Sequence, residues 1–363
     1  GAPEGAAEKL MLSAADQDPA AAIGVLSPGE FEGLDDVYDK AFERAEDEEL
    51  VEGDGITDAL DIELSDLEFD VEELGDDLAR VTLTGGEYDV SWDPEKLPER
   101  LEFLSEESEA DSESGDLEEL FDGEEVSVMT VKIDGRWYVT LLGTVADYAY
   151  QDAVDDSDEE LAEPDWDAAA EDVDAIVGDD PEAVIENLVE AINGDDVEDL
   201  LANLPEELVK PLRPYAGVVQ EFLDDNGLAD DEIGVEVTVA DLDLSTEELD
   251  DGRVKVVIER GTFSGSAFEI ADGYTEEGSG SINVAGDCIE IYEAGSLQDE
   301  TCLGEEETVE DLGLDEIFFV VREVDDGYQL DPAATWTEYA SIAVENLTDD
   351  LIDMIVEEIE EEV

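Results

Sequence analysis

The sequence predicts an α+β fold, made of two tandem copies of one domain in which helices precede a curved antiparallel sheet. Three observations predict it. Asp134-Gly135-Arg136-Trp137-Tyr138-Val139, followed by Asp147-Tyr148-Ala149, is matched by Asp326-Gly327-Tyr328-Gln329-Leu330, followed by Glu338-Tyr339-Ala340. Trp137 and Tyr148 are spaced as Tyr328 and Tyr339 are. In both places an Asp-Gly turn leads into an aromatic strand and then a helix, and each copy also opens on a Pro-Glu helix start.

The helices come first in each half. In Pro3 to Asp18, Ala6, Ala7, Leu10, Met11 and Ala14 recur at helical spacing, and Pro3-Glu4 suits a helix start. Pro19 to Leu26 reads as a second short helix. A third is expected from about Glu30 to Leu50, with Phe31, Leu34, Val37, Tyr38 and Phe42 on one side. The second copy repeats this phase from Pro181-Glu182 through Val184, Ile185, Leu188, Val189 and Ile192, and then onward to Phe222. Pro3 aligns with Pro181, Leu10 with Leu188 and Leu26 with Leu204.

Alternating strands follow. Leu64, Leu67, Phe69 and Val71 precede Glu72-Glu73-Leu74, and Val81 to Leu83 precede Gly86 and Tyr88. Val235, Val237, Val239, Leu242 and Leu244 precede Glu247-Glu248-Leu249, and Val254, Val256 and Ile258 precede Gly261 and Phe263. Apolar–polar alternation of this kind marks half-buried antiparallel strands. The halves then diverge. Copy one carries an amphipathic piece (Pro94 to Leu104) and an acid-serine stretch (Ser105 to Gly123) expected to be a solvated loop, whereas copy two is longer where both cysteines lie. The expected organisation is 1–150 for the first repeat, 151–180 for an acidic linker with a short helix, 181–347 for the second repeat and 348–363 for a C-terminal amphipathic helix. That last helix needs a surface to pack on.

Of the 363 residues, 112 are Asp or Glu and 14 are Lys or Arg, a formal net charge of −98. Spread over a compact sphere, such a charge carries a self-repulsion of order ~200 kcal/mol at physiological salt, falling to ~90 in molar salt. A few per cent of that rivals the roughly 5–15 kcal/mol of net domain stability, so folding is expected to improve with counter-ions. Hydrophobic residues make up 42% of the chain, enough for real cores and too many for a disordered acidic polymer. Acid spread along the whole length points to a salt-adapted coat rather than to one binding face. With no run of Lys or Arg to neutralise phosphates, nucleic acid is not an expected partner. No apolar run reaches the ~20 residues of a membrane span. The chain opens at Gly1-Ala2-Pro3 without a signal peptide, which reads as a trimmed mature or ectodomain fragment with an anchor possible upstream.

Histidine is absent, which excludes Ser-His-Asp and Cys-His triads and histidine-ligated zinc. Cys288 and Cys302 flank strand-like residues and are expected to form a disulfide across a hairpin; their spacing is not that of a Cys-x-x-Cys redox pair. A disulfide implies a compartment outside the cytosol. Asp241-Leu242-Asp243-Leu244-Ser245 and Glu52-Gly53-Asp54-Gly55 resemble calcium-loop fragments but complete no twelve-residue loop, so diffuse cation binding is expected and a specific metal or cofactor is not. Trp137, Tyr138, Tyr148, Tyr328 and Tyr339 sit at core spacing, with pocket lining as the sharper alternative. No residue is singled out as catalytic.

Helices, antiparallel strands, an Asp-Gly-aromatic strand and a Tyr-bearing closing helix together resemble the nuclear transport factor two-like, or cystatin-like, fold. Its curved sheet wraps helices around a conical pocket. The Pro-Glu helix, the DGRWYV strand and the DYA helix look like poorly characterised extracytoplasmic proteins of actinobacteria. The resemblance implies a non-catalytic binding or assembly protein, outside the cytosol, for an unknown ligand or envelope protein. Two alternatives stand beside it: an isomerase-type enzyme with a buried pocket carboxylate near a Tyr, and an acidic cation-binding protein or nucleic-acid mimic.

Overall fold

The computed structural model describes residues 1–48, 50–51, 59–98, 100–101, 103, 110–121, 123, 125–156, 161–171, 173–194, 196–225, 235–249, 252–271, 274–324 and 327–362. It divides into two compact units, Gly1–Asp152 with Leu347–Val363, and Ala153–Asn346. The segment expected as an acidic linker falls within the second unit, and the closing helix within the first.

The first unit opens with α1 (Pro3–Ala15), whose first turn holds Pro3 and Glu4. Helix α2 (Pro19–Ile23) is capped by Asp18, whose Oδ1 accepts from Ala21 N at 2.9 Å. The third expected helix is broken in two, α3 (Pro28–Phe31) and α4 (Leu34–Asp47). Between them Gly33 takes φ +80°, a left-handed conformation that glycine adopts without cost and that ends a helix.

The sheet follows as β1 (Leu60–Glu73), β2 (Leu78–Trp92), β3 (Asp111–Asp116), then the short α5 (Leu117–Leu120), β4 (Val126–Ile133), β5 (Arg136–Thr140) and α6 (Leu141–Asp156). All pairings are antiparallel in the order β1-β2-β4-β5. Strand β2 serves two neighbours on one edge: Leu78–Leu83 pair with β4, and Glu87–Trp92 pair with β3. Part of the acid-serine stretch expected as a loop is therefore strand β3, because the backbone ladder to β2 holds it although most of its side chains are exposed. Leu117, just beyond it, is 2% exposed and anchors the segment in the core.

The second unit runs α7 (Pro181–Asn193), α8 (Val197–Ala202), α9 (Glu206–Val209), α10 (Ala216–Asp225), β6 (Val235–Glu248), β7 (Arg253–Ala271), β8 (Tyr274–Ala285), β9 (Cys288–Glu293), β10 (Ser296–Cys302), α11 (Glu307–Asp311), β11 (Phe318–Val324), β12 (Gly327–Leu330) and α12 (Pro332–Asn346). Strand β7 splits its edge as β2 does, Arg253–Val257 pairing with β11 and Arg260–Ala271 with β8. The surplus length of this half is the β9–β10 hairpin. Cys288 faces Cys302 in its ladder and the two sulfurs are bonded.

Each sheet carries the same irregularity. The β1–β2 register slips between Ser65 and Glu68, with Asp66 at φ +50°; the β6–β7 register slips between Ala240 and Asp243, with Asp241 at φ +53°. Each is a bulge that bends its strand. Opposite stands a glycine for a steric reason. A Cβ on Gly86 would lie 2.7 Å from Leu117 Cδ1 and 2.9 Å from Leu67 Cδ2, and one on Gly261 would lie 3.1 Å from Phe263 Cε2 and 3.2 Å from Leu242 Cδ1.

Helix α13 (Asp349–Glu362) closes the first unit. Leu351 and Ile352 are buried. Arg44 Nε donates to Leu347 O at 3.0 Å and its guanidinium meets Asp349; Arg100 meets Asp353 and, at 2.8 Å, Glu48. The expected need of this amphipathic tail for a packing surface is met within that unit. Among the described residues, no helix is long and apolar enough to cross a membrane.

Candidate functional site

The aromatic motif is a fastening. Tyr148 Oη accepts from Ser127 N and Thr144 Oγ1 from Met129 N, each at 2.9 Å, tying α6 to β4. In the second unit Tyr339 Oη accepts from Phe318 N and Thr335 Oγ1 from Val320 N, again at 2.9 Å, tying α12 to β11. Thr144 and Thr335 in turn donate to the carbonyls of Thr140 and Asp331. Tyr339 also stacks on Phe318 with centroids 3.8 Å apart. Among the five aromatics singled out from the sequence, Tyr148 and Tyr339 thus fix helices to strands, while Tyr138 lies under Arg136 and Trp137 under Lys132.

Two carboxylates of the first unit, one buried and one half-buried, are also spent on structure. Asp147, 1% exposed, receives Arg80 Nε at 2.8 Å and Nη2 at 2.7 Å, a bidentate pair that joins α6 to β2. Glu30 on α3 reaches the start of α6, accepting from Thr140 Oγ1, from Leu141 N at 2.8 Å and from Leu142 N at 3.0 Å. Burial pushes its carboxyl above the usual range, against the downward pull of those bonds. A raised carboxyl is what the enzyme alternative requires, but both of its oxygens are occupied by a helix terminus.

A cleft of about 1490 Å³ opens in the first unit, between the end of α1 and the sheet. Leu12, Leu60, Ile62, Leu64 and Tyr88 give it an apolar component. Leu64, Tyr88 and Gly115 stand opposite one another in the β1–β2–β3 ladder. At Gly115 a Cβ would lie 3.3 Å from the Tyr88 ring, a tight contact that the ring would have to shift to accept. Burial, and then the Glu113 carboxylate that accepts from its hydroxyl at 3.3 Å, raise the Tyr88 phenol above its ordinary range. The residues that alternate with them, Asp61, Glu63, Glu87, Asp89 and Asp116, also border it.

The second unit treats the matching place differently. Asn193, at the end of α7, closes on the backbone of β6: its Nδ2 donates to Val237 O and its Oδ1 accepts from Val237 N, both at 2.7 Å. Phe263 stands where the first unit has Tyr88, and Ile282 stands opposite it in place of Gly115. Sequence reasoning missed both the cleft and Glu30, since neither lies in a motif.

The calcium-loop fragments resolve unequally. Asp241 occupies the bulge, Asp243 pairs with Arg260 at 3.3 Å and Ser245 donates to Glu259 at 2.8 Å; Glu52 to Gly55 lie outside the described residues. Among the described residues no three acidic or cysteine side chains are gathered as a metal would need.

No family model matches the chain. No curated protein matches it either. Among solved structures it is similar to an Ntf2 like protein involved in plasmid conjugation, at 7% identity and a TM-score of 0.15 over 67% of this chain and 78% of that one. A superposition of that quality does not by itself define a shared fold.

Proposed function

We propose that the chain is a non-catalytic binding or assembly protein, a duplicated α+β domain of the cystatin-like type that works outside the cytosol, with the first-unit cleft as its principal binding surface. The observation that carries the reading is the contrast within the first unit between an open, partly apolar cleft and a raised carboxyl, Glu30, committed to a helix cap. Matching fastenings and matching bulges in the two units support the duplication. The Cys288–Cys302 bond supports an oxidising compartment. The acid coat supports a salt-rich setting.

The test is cross-linking in cell-envelope preparations with the wild-type chain and with Ile62→Trp, which fills the cleft. A cross-linked partner present for wild type and lost in Ile62→Trp is expected; the same partner captured by both would overturn the cleft assignment. Alkylation of Cys288 and Cys302 without prior reduction would contradict the compartment. Melting temperature is expected to climb steeply from low to molar NaCl or KCl as like-charge repulsion is screened; a flat profile would contradict the salt-adapted reading.

A further inference from the structure

We propose that the open edge of β3, beside the first-unit cleft, takes an extended basic peptide as an added strand. The proposal rests on the cleft as the binding surface and names what binds there. The second unit supplies the precedent. Its β8, the counterpart of β3, is paired on both sides, with β7 and with β9. Among the described residues β3 is paired on one side alone, with β2. The place that β9 fills in the second sheet is therefore a strand edge in the first. Such an edge offers a row of N–H and C=O groups to a chain that can lie along it.

Local hydrogen bonding indicates which groups face outward. Ser112 N donates to the exposed Asp111 carboxylate at 2.9 Å, as Glu300 N on the outer strand β10 donates to Asp299 at 3.0 Å. In each case a flexible acid serves an N–H that the ladder leaves over, and an added strand displaces it. The alternation of an antiparallel ladder then points Ser114 N the same way as Ser112 N, away from β2.

Side chains decide the occupant. Strand β3 carries Asp111, Glu113 and Asp116, all exposed, and no cation. Lys96 is the one cation among the residues bordering the cleft. An acidic strand, a second copy of this chain included, sets like charges across the ladder and is disfavoured, whereas a basic strand pairs them. The second sheet gives the register. There Ile291 stands opposite Ile282, Glu290 opposite Asn283 and Glu293 opposite Gly280. Transferred to β3, the place of Ile291 falls opposite Gly115, whose missing side chain leaves room for one apolar group beside the Tyr88 ring. Basic residues then meet Asp116 on one side of that position, and Glu113 and Asp111 on the other.

Calorimetric titration of the full chain with acetyl-Lys-Val-Thr-Lys-Thr-Lys-amide tests this, in roughly molar salt that screens the diffuse field of the acid coat. Saturable one-site binding is expected, with slowed amide exchange at Ser114 and affinity lowered about two- to fivefold in Glu113→Gln. Ser114→Pro keeps every charge and removes an N–H that faces away from β2, so it must abolish binding while the melting temperature stays near wild type. A control peptide, acetyl-Lys-Pro-Thr-Lys-Pro-Lys-amide, has the same charge but cannot complete the ladder, and must not bind. Absence of binding to the wild type, equal binding of the two peptides, or undiminished binding in folded Ser114→Pro would each overturn the proposal. The cleft assignment falls separately: it stands, whatever the peptide does, if Ile62→Trp loses a cross-linked partner that the wild type captures.

Discussion

The two units hold their closing helices by the same fastening but place charge around it differently. In the first, Thr140 begins α6 and the carboxylate comes from Glu30, 110 residues away in sequence. In the second, Asp331 begins α12 and supplies the carboxylate itself, its Oδ1 accepting from Ala334 N at 3.0 Å and its Oδ2 facing Arg322. Arg80 of β2 forms a buried pair with Asp147, whereas Lys255, at the same place in β7, meets Glu316 and lies over the Phe318 ring. One backbone frame therefore accepts several charge arrangements, provided each buried ion keeps a partner and each helix start keeps an acceptor.

The largest expected effect breaks the first unit's arrangement alone. Asp147→Ala removes the bidentate partner of Arg80, which keeps the exposed Glu72, and should cost about 3 kcal/mol. Lys255→Ala, whose partner Glu316 is 52% exposed, should cost roughly 1 kcal/mol or less. Differential scanning of the two variants checks the ranking, and equal losses would mean that the two cations do equivalent work.

Next comes the hairpin that only the second unit has. Converting Cys288 and Cys302 to Ser should cost about 3 kcal/mol in the chain-entropy view of a loop this short. Amide exchange should register that loss in β9 and β10 and leave β1 and β2 unchanged.

The paired glycines sharpen the comparison further. Gly86→Ala must move two leucine methyls and should cost on the order of 1–3 kcal/mol. Gly261→Ala meets its neighbours at longer range and should cost less, which chemical denaturation of the two variants measures.

The smallest effect is a pH dependence. A carboxyl raised in the folded state binds its proton more tightly there, so its contribution is fully present below the unfolded value near 4.5 and is lost as pH rises through the folded one. Glu30→Gln, a neutral mimic, should match wild type near the bottom of that window and melt slightly higher at neutral pH. The second unit has Leu208 at the corresponding helix position, so Leu208→Gln should show no such window.

Much of the frame was legible in the residues. The Pro-Glu starts, the Asp-Gly turn with Asp134 and Gly135 both at positive φ, and the cysteine hairpin follow from local conformational preference and spacing. Even the bulge leaves a trace: the apolar positions Leu60, Ile62 and Leu64 resume at Leu67, Phe69 and Val71, one residue out of phase. Strand β3 left almost none, because a ladder made by backbone groups does not depend on side-chain pattern.

Sequence by itself determined the α+β class, the absence of imidazole chemistry and a formal net charge of −98. Only the tertiary structure decided which carboxylates are buried and spoken for, which face of β1 and β2 lines a cleft, and that β3, among the described residues, is paired on one side where β8 is paired on two. The physical reason is that turns, caps and periodicity act over a few residues, whereas burial and charge pairing depend on neighbours that the chain brings together only when it folds.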